Sequence, residues 1–273
     1  MRFDVLTIFP RMISAYLEEG VLAQGIKRAL IEVRVTNIRD HADGQRKTTD
    51  DRPYGGGEGM VMKPEPIHRA LKSIERLPGR GMVILLSPQG ETFRQSAAWD
   101  MAAFDQLILI CGRYEGIDER VRLACVDREL SIGDYVLTGG ELGALVVMDT
   151  VSRLIPGVLG GERSNREDTF EDGILEYPHY TRPRVFLDHV VPGVLLSGDH
   201  EKIRLWRRTQ AIKRTMEKRP ELLETASLSE EDERILADLR AGLSQGTVSR
   251  QKDGGEPVPP EDPSNGHSLG TVL

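Results

Sequence analysis

Ser131-Ile132-Gly133-Asp134-Tyr135-Val136-Leu137-Thr138-Gly139-Gly140-Glu141 decides the fold. The stretch ends an apolar strand, turns through three glycines and opens a helix. Thr138 and Glu141, three residues apart, have the spacing of a capping box, which leaves Gly139 and Gly140 as bare backbone at the helix mouth. A ligand can approach such backbone closely. A tight strand-to-helix turn whose glycines satisfy only φ and ψ has the same composition, so the neighbouring strands carry the decision.

Two strands upstream end the same way. Residues 82–86 form an apolar run that meets the turn Ser87-Pro88-Gln89-Gly90. Residues 106–111 form a near-continuous apolar run, the pattern of a parallel strand covered on both faces, and lead into Gly112-Arg113-Tyr114-Glu115-Gly116. Three successive strands that each end in a glycine-containing turn predict an open α/β sheet with its ligand at the carboxyl ends of the strands. Around them the pattern predicts strands at 3–9, 31–38 and 128–132 and helices at 10–18, 63–75 and 92–103. A short helix up to 125 and a longer one over 140–155 complete the set. Between 40 and 60 lies a polar loop with Arg52-Pro53-Tyr54-Gly55-Gly56-Gly57-Glu58-Gly59, of a length usually found in functional or mobile loops.

Beyond residue 160 the composition shifts. Residues 160–176 are polar and charged, as an interdomain linker would be. Tyr177-Pro178-His179-Tyr180-Thr181-Arg182-Pro183 sets aromatics and charge between prolines, suiting an exposed, semi-rigid contact segment. Helices are predicted at 201–219, with Leu205, Trp206, Ile212 and Met216 on the buried side, and at 229–243, with Ile235, Leu236, Leu239 and Leu243. After 244, glycine, proline, serine and charge dominate, which predicts a disordered tail. The expected organisation is therefore a ligand-binding domain at 1–159, a linker at 160–176, a small helical domain at 177–243 and a tail at 244–273.

The 273 residues are 39% hydrophobic, ample for a sizeable core. Cys111 and Cys125 lie in apolar surroundings with no metal or disulfide spacing, as in a reducing cytoplasm. No run approaches about 18 apolar residues and Met1-Arg2-Phe3-Asp4 enters strand-like sequence directly, so a soluble cytosolic protein is expected. A net charge of −7 argues mildly against nucleic acid as a partner, yet residues 182–220 hold ten Lys and Arg against four Asp and Glu.

No P-loop, no Rossmann fingerprint, no serine elbow and no metal-spaced histidine pair occurs. Near the loops stand acids and an arginine, Glu115, Asp134, Glu141, Arg153, Asp168 and Glu176, and a carboxylate beside an arginine can act as general base while the arginine stabilises developing negative charge. An enzyme, a catalytically silent RNA-binding module and a nucleotide enzyme using the glycines for phosphate all remain open on the residues alone.

Taken together, Phe3-Asp4-Val5-Leu6-Thr7-Ile8-Phe9-Pro10, Leu85-Leu86-Ser87-Pro88-Gln89-Gly90, Cys111-Gly112-Arg113-Tyr114-Glu115-Gly116-Ile117-Asp118-Glu119-Arg120, the opening stretch, Ser152-Arg153-Leu154-Ile155-Pro156-Gly157-Val158-Leu159-Gly160 and the segment at 177–183 closely resemble the bacterial tRNA (guanine-N1)-methyltransferases. The resemblance runs in order over 1–243. It implies a SPOUT-class domain with a deep trefoil knot around a mainly parallel sheet, a small C-terminal helical domain that binds tRNA, and an obligate homodimer. It implies methyl transfer from S-adenosylmethionine to N1 of the guanosine 3′ to the anticodon, which protects the reading frame, with no DNA or membrane partner.

By the same resemblance Asp168 is the general base for N1, Arg153 stabilises charge on O6, and Glu115 lies beside cofactor and base. The cofactor contacts carried over are Leu86, Ser87, Pro88, Gly112, Tyr114, Gly116, Ser131, Ile132, Gly133, Tyr135, Leu137, Gly139 and Gly140. The resemblance also implies a magnesium requirement attributed to acids in the family, with no metal ligand assigned, and Glu176 stands where the family often has aspartate. The chain also departs at Arg184, where an acid is common, and at Leu187-Asp188-His189. The basic helix at 202–219 and the loop at 50–59 are expected to hold the tRNA.

Overall fold

The computed structural model describes residues 1–159, 169–170 and 172–245. The chain divides into two compact units, Met1–Glu167 and Asp168–Leu273.

In the first unit the elements run β1 (Arg2–Thr7), α1 (Pro10–Tyr16), α2 (Gly20–Lys27), β2 (Glu32–Asn37), β3 (Asp50–Asp51), β4 (Val61–Met62), α3 (Pro64–Ser73), β5 (Gly81–Thr92), α4 (Gln95–Ala102), β6 (Gln106–Cys111), α5 (Glu119–Cys125), β7 (Arg128–Ser131) and α6 (Glu141–Leu154). Five strands form one sheet in the order β2-β1-β6-β5-β7, with every pairing parallel. β6 lies at its centre and is buried throughout.

Alternate residues of β6 feed two separate cores, the consequence of the two-residue side-chain period of a strand. Leu107, Leu109 and Cys111 pack on α4 and α6 through Ala98, Met101, Ala144, Val147, Met148 and Val151. Ile108 and Ile110 pack on the other face with Ile67, Ala70 and Leu71 of α3 and Val121 of α5. A sheet covered on both faces is what the unbroken apolar run predicts.

Two elements differ from the sequence reading. The turn expected at 87–90 is instead an excursion within the long strand β5, whose register against β7 shifts between Leu86 and Glu91 so that Leu130 pairs with both. A side chain at Gly90 would overlap the backbone of Glu129 and Leu130, so glycine permits close pairing here rather than a turn. The helix α2, hidden by Gly20 and Gly25, was not expected. The long loop expected at 40–60 is entered through a 3₁₀ turn, Ile38–His41, and holds β3, which pairs antiparallel with β4 just beyond the loop.

The second unit contains a hairpin of β8 (Val185–Phe186) and β9 (His189–Val190), then α7 (His200–Lys218) and α8 (Glu230–Gln245). Leu187 and Asp188 turn the hairpin at positive φ. Ile174, Ala211, Ile212 and Leu236 form its small core, with Met216, Ile235 and Leu239 packed around them. Leu205, expected on the buried side of α7, is exposed instead. The linker expected at 160–176 and the tail expected at 244–273 fall largely outside the described residues.

Candidate active site at the strand ends

The excursion within β5 and the carboxyl ends of β6 and β7 converge on one cleft of about 340 Å³. Leu86, Ser87 and Pro88 line it from β5, and Gly112, Tyr114, Glu115 and Gly116 from the loop after β6. Ser131, Ile132, Gly133, Tyr135, Leu137, Gly139 and Gly140 line it between β7 and α6. All thirteen residues carried over for the cofactor thus stand along a single cavity, and Glu115 stands with them.

The walls are held by local contacts. Ser131 Oγ donates to Gly133 O at 2.9 Å, and Tyr135 Oη donates to Ile132 O at 3.2 Å, folding the β7–α6 loop back on itself. The two loops are joined at Gly140, whose N–H donates to Gly112 O at 2.9 Å, and by an isolated antiparallel bridge between Arg113 and Gly139. A Cβ on Gly140 would lie 2.9 Å from Cys111 Cα and 3.0 Å from Leu86 Cβ, so glycine lets three chain segments meet. Tyr114 holds φ at 60°, a left-handed conformation costly for a non-glycine residue and concentrated at functional sites.

The expected capping box does not form. The N-cap of α6 is Gly140, with no side-chain bond, and Glu141 is fully buried. Its Oε1 accepts a 2.6 Å hydrogen bond from Thr7 Oγ1, and its Oε2 lies 2.8 Å from Arg113 Nη2. That ion pair is off the line of an N–H, so Oε2 carries no hydrogen bond. Arg113 aims its donors elsewhere, at the Thr138 carbonyl (3.1 Å) and Met12 Sδ (3.2 Å), and its guanidinium covers the Phe9 ring at 4.5 Å.

Arg113 therefore ties both cofactor-side loops to the start of α1, a role that sequence reading passed over. Its signal was a charged residue two positions past a buried strand, behind Gly112. Cys111, beneath it, is no nucleophile, because burial and then the nearby Glu141 carboxylate push its thiol well up. The glycine-rich loop also reaches the site. Glu115 N donates to Met60 O at 3.0 Å, and its carboxylate lies against Gly59.

Arg153 does not line this cleft. It sits half-buried in the last turn of α6, about 20 Å along the helix from Gly140. Asp168 lies outside the described residues. Among those described, no group of three or more His, Cys, Asp or Glu converges as a bound metal ion would need. No described helix is long and apolar enough to cross a membrane.

A parallel sheet with glycine-bearing loops gathered around a cavity of ligand size defines an α/β protein with a small-molecule-sized cleft beside its central strands. The family described as tRNA (Guanine-1)-methyltransferase TrmD matches residues 1–225, and the chain belongs to that family. A tRNA (guanine-N(1)-)-methyltransferase of Moorella thermoacetica is 54% identical over 243 residues, covering 88% of this chain and 96% of the relative. Its counterpart in Dictyoglomus turgidum is 51% identical, covering 90% and 99% respectively.

Proposed function

We propose that this S-adenosylmethionine-dependent tRNA (guanine-N1)-methyltransferase acts on N1 of guanosine 37, the nucleotide 3′ to the anticodon, in the cytoplasm, and so supports reading-frame maintenance. The observation that carries the reading is the convergence of three strand-end loops on one cleft in a chain of this family. The cavity falls in the size range of small-molecule sites, and its bare backbone at Gly112, Gly139 and Gly140 suits a ligand held closely by N–H and C=O groups. S-adenosylmethionine, when bound, supplies an electrophilic methyl on a sulfonium that departs as a neutral thioether.

The chain's own residues must then manage a proton. Guanine N1–H is a poor nucleophile, and Asp168 is the general base that removes its proton, while Arg153 stabilises the negative charge that moves onto O6. Glu115, in the cleft wall, stands beside the target base. Arg153 is remote from the cleft of its own chain, which supports a homodimer in which a second copy brings Arg153 and Asp168 to it. The surface suits such an assembly. Phe9, Met12 and Tyr16 on and beside α1 adjoin Leu142 and Val146 on α6 as an exposed apolar face, with Tyr16 Oη donating to Asp149 Oδ1 at 3.3 Å between the two helices.

The path of residues 132–140 supports a trefoil knot of the SPOUT class. The segment leaves the edge strand β7, passes against Leu86 and Cys111, and enters α6 over the sheet centre. Residues 1–159 form the methyltransferase domain in this reading, and 177–243 the part that engages tRNA. Asp168→Ala tests the chemistry. S-adenosylmethionine and tRNA binding should persist while methyl transfer falls by about 10²–10⁴-fold, the usual worth of a general base. Unchanged turnover removes Asp168 from its role.

A further inference from the structure

In the second unit a groove of about 440 Å³ runs between the proline-bounded segment at 177–183, the β8–β9 hairpin and α7. Among the described residues its lining includes Arg182, Arg184 and Arg207 and no acid. Arg207 lies over the Tyr177 ring at 4.9 Å, and the Tyr180 ring, half exposed, stands 6.2 Å from that of Trp206. Leu195 and Leu196 supply an apolar wall.

The rest of α7 is electrostatically different. Arg204 bonds both Glu201 and Glu231, at 2.7 and 2.8 Å. Arg208 bonds Asp232 at 2.6 Å and Asp172 at 3.1 Å, Lys202 pairs with Asp199 at 3.0 Å, and Arg219 pairs with Glu221. A phosphate approaching those cations must displace carboxylates already in place. Lys202, Arg204, Arg208, Lys213 and Arg219 of the basic residues counted over 182–220 are thus paired with acids inside the unit, and the groove gathers Arg182, Arg184 and Arg207 in one wall.

We propose that this groove takes one unstacked nucleotide of an RNA loop, its base on Tyr180 and its phosphates on Arg184 and Arg207. The proposal rests on the reading of tRNA as substrate and adds to it a second contact point on the chain. Aromatic faces beside guanidinium groups are the chemistry that holds splayed-out bases, whereas a duplex keeps its bases stacked and offers no free face.

The test uses the full chain and a fluorescently labelled anticodon stem-loop RNA, with binding read by anisotropy over a salt series. Arg184→Gln, Arg207→Gln and Tyr180→Leu should each weaken binding roughly tenfold, and the two arginine variants should flatten the salt dependence. Arg204→Gln and Lys213→Gln, on the same helix with the same charge change, should shift affinity by less than twofold. Circular dichroism melts verify that each variant is folded, and Arg184, on the hairpin, is the substitution least able to disturb the helices.

Equal losses for Arg204→Gln and Arg207→Gln would mean diffuse charge and overturn the proposal, as would wild-type affinity in the groove variants. So would loss of poly-glutamate binding in those variants with RNA binding unchanged. Methyl transfer by the unsubstituted protein separates the two readings. If it methylates no tRNA while the groove variants still lose RNA, the activity fails and the groove stands. If it methylates normally and the groove variants bind and turn over as well, the groove alone fails.

Discussion

The cleft in the first unit and the groove in the second differ in what they are made of. The cleft is backbone, with glycines at the points where three segments meet, and its one central cation, Arg113, is consumed in tying loops together. The groove is side chain, with aromatic rings and arginines mounted on a short segment, a hairpin and one helix face. A site of backbone is as precise as the fold that carries it and fails with small insults. A site of side chains degrades one contact at a time.

The sharpest way to break that contrast is Gly140→Ala. Its methyl would press on Cys111 and Leu86, and displacements of that size near a reacting centre cost on the order of a hundredfold. Isothermal titration with S-adenosylmethionine and a methyl-transfer assay should both show the loss. If the alanine variant binds and turns over normally, the cleft is not built from close backbone approach.

The tenfold effects expected in the groove come next in size. Asp232→Asn is a smaller effect confined to stability. The Arg208 guanidinium, with bonds from Ser229 N–H and hydroxyl, holds the Asp232 carboxyl down at about 2. A depressed carboxyl contributes stability that is fully present above its unfolded value near 4 and lost as pH falls through about 2. The asparagine variant should unfold more easily by about 1.5–3 kcal/mol at pH 7, and the gap should close between pH 4 and 2 in thermal melts. Catalysis-ready binding of S-adenosylmethionine should be untouched.

The smallest expected effect is the counterpart of the first. A Cβ on Gly193 in the second unit meets nothing within 4 Å, so Gly193→Ala should shift stability by no more than about 0.5 kcal/mol. A large loss there would erase the distinction between the two regions.

How much of this was legible depended on the range of the interactions. The apolar run at 106–111 and the glycine turns at 112–116 and 131–141 announced a strand covered on both faces and loops that gather around a cleft, because both are local patterns. The chemistry of Glu141 was not legible. Its capping-box spacing with Thr138 is a local signal, and the partner that won, Thr7, is 134 residues away. Ser87-Pro88-Gln89-Gly90 signalled a turn for the same reason, and pairing with Leu130 drew it into a strand.

The basic helix misled in the opposite direction. Its charge was counted without the acids of α8, Glu231 and Asp232, which neutralise Arg204 and Arg208 across the helix pair. Arg153 and Asp168 were singled out by residue type and given their roles through family resemblance, and Arg153 does not line the cleft of its own chain.

The placement of β1 has a consequence for synthesis. Arg2 pairs with Glu32 on one side and with Gln106 on the other, and Thr7 waits for Glu141. At about 5–20 residues per second, β1 spends roughly 5–20 s outside the ribosome with one edge and its apolar faces uncovered. β1 is thus made well before the strand that covers its second edge, and through that interval its apolar faces are open to misassembly during translation.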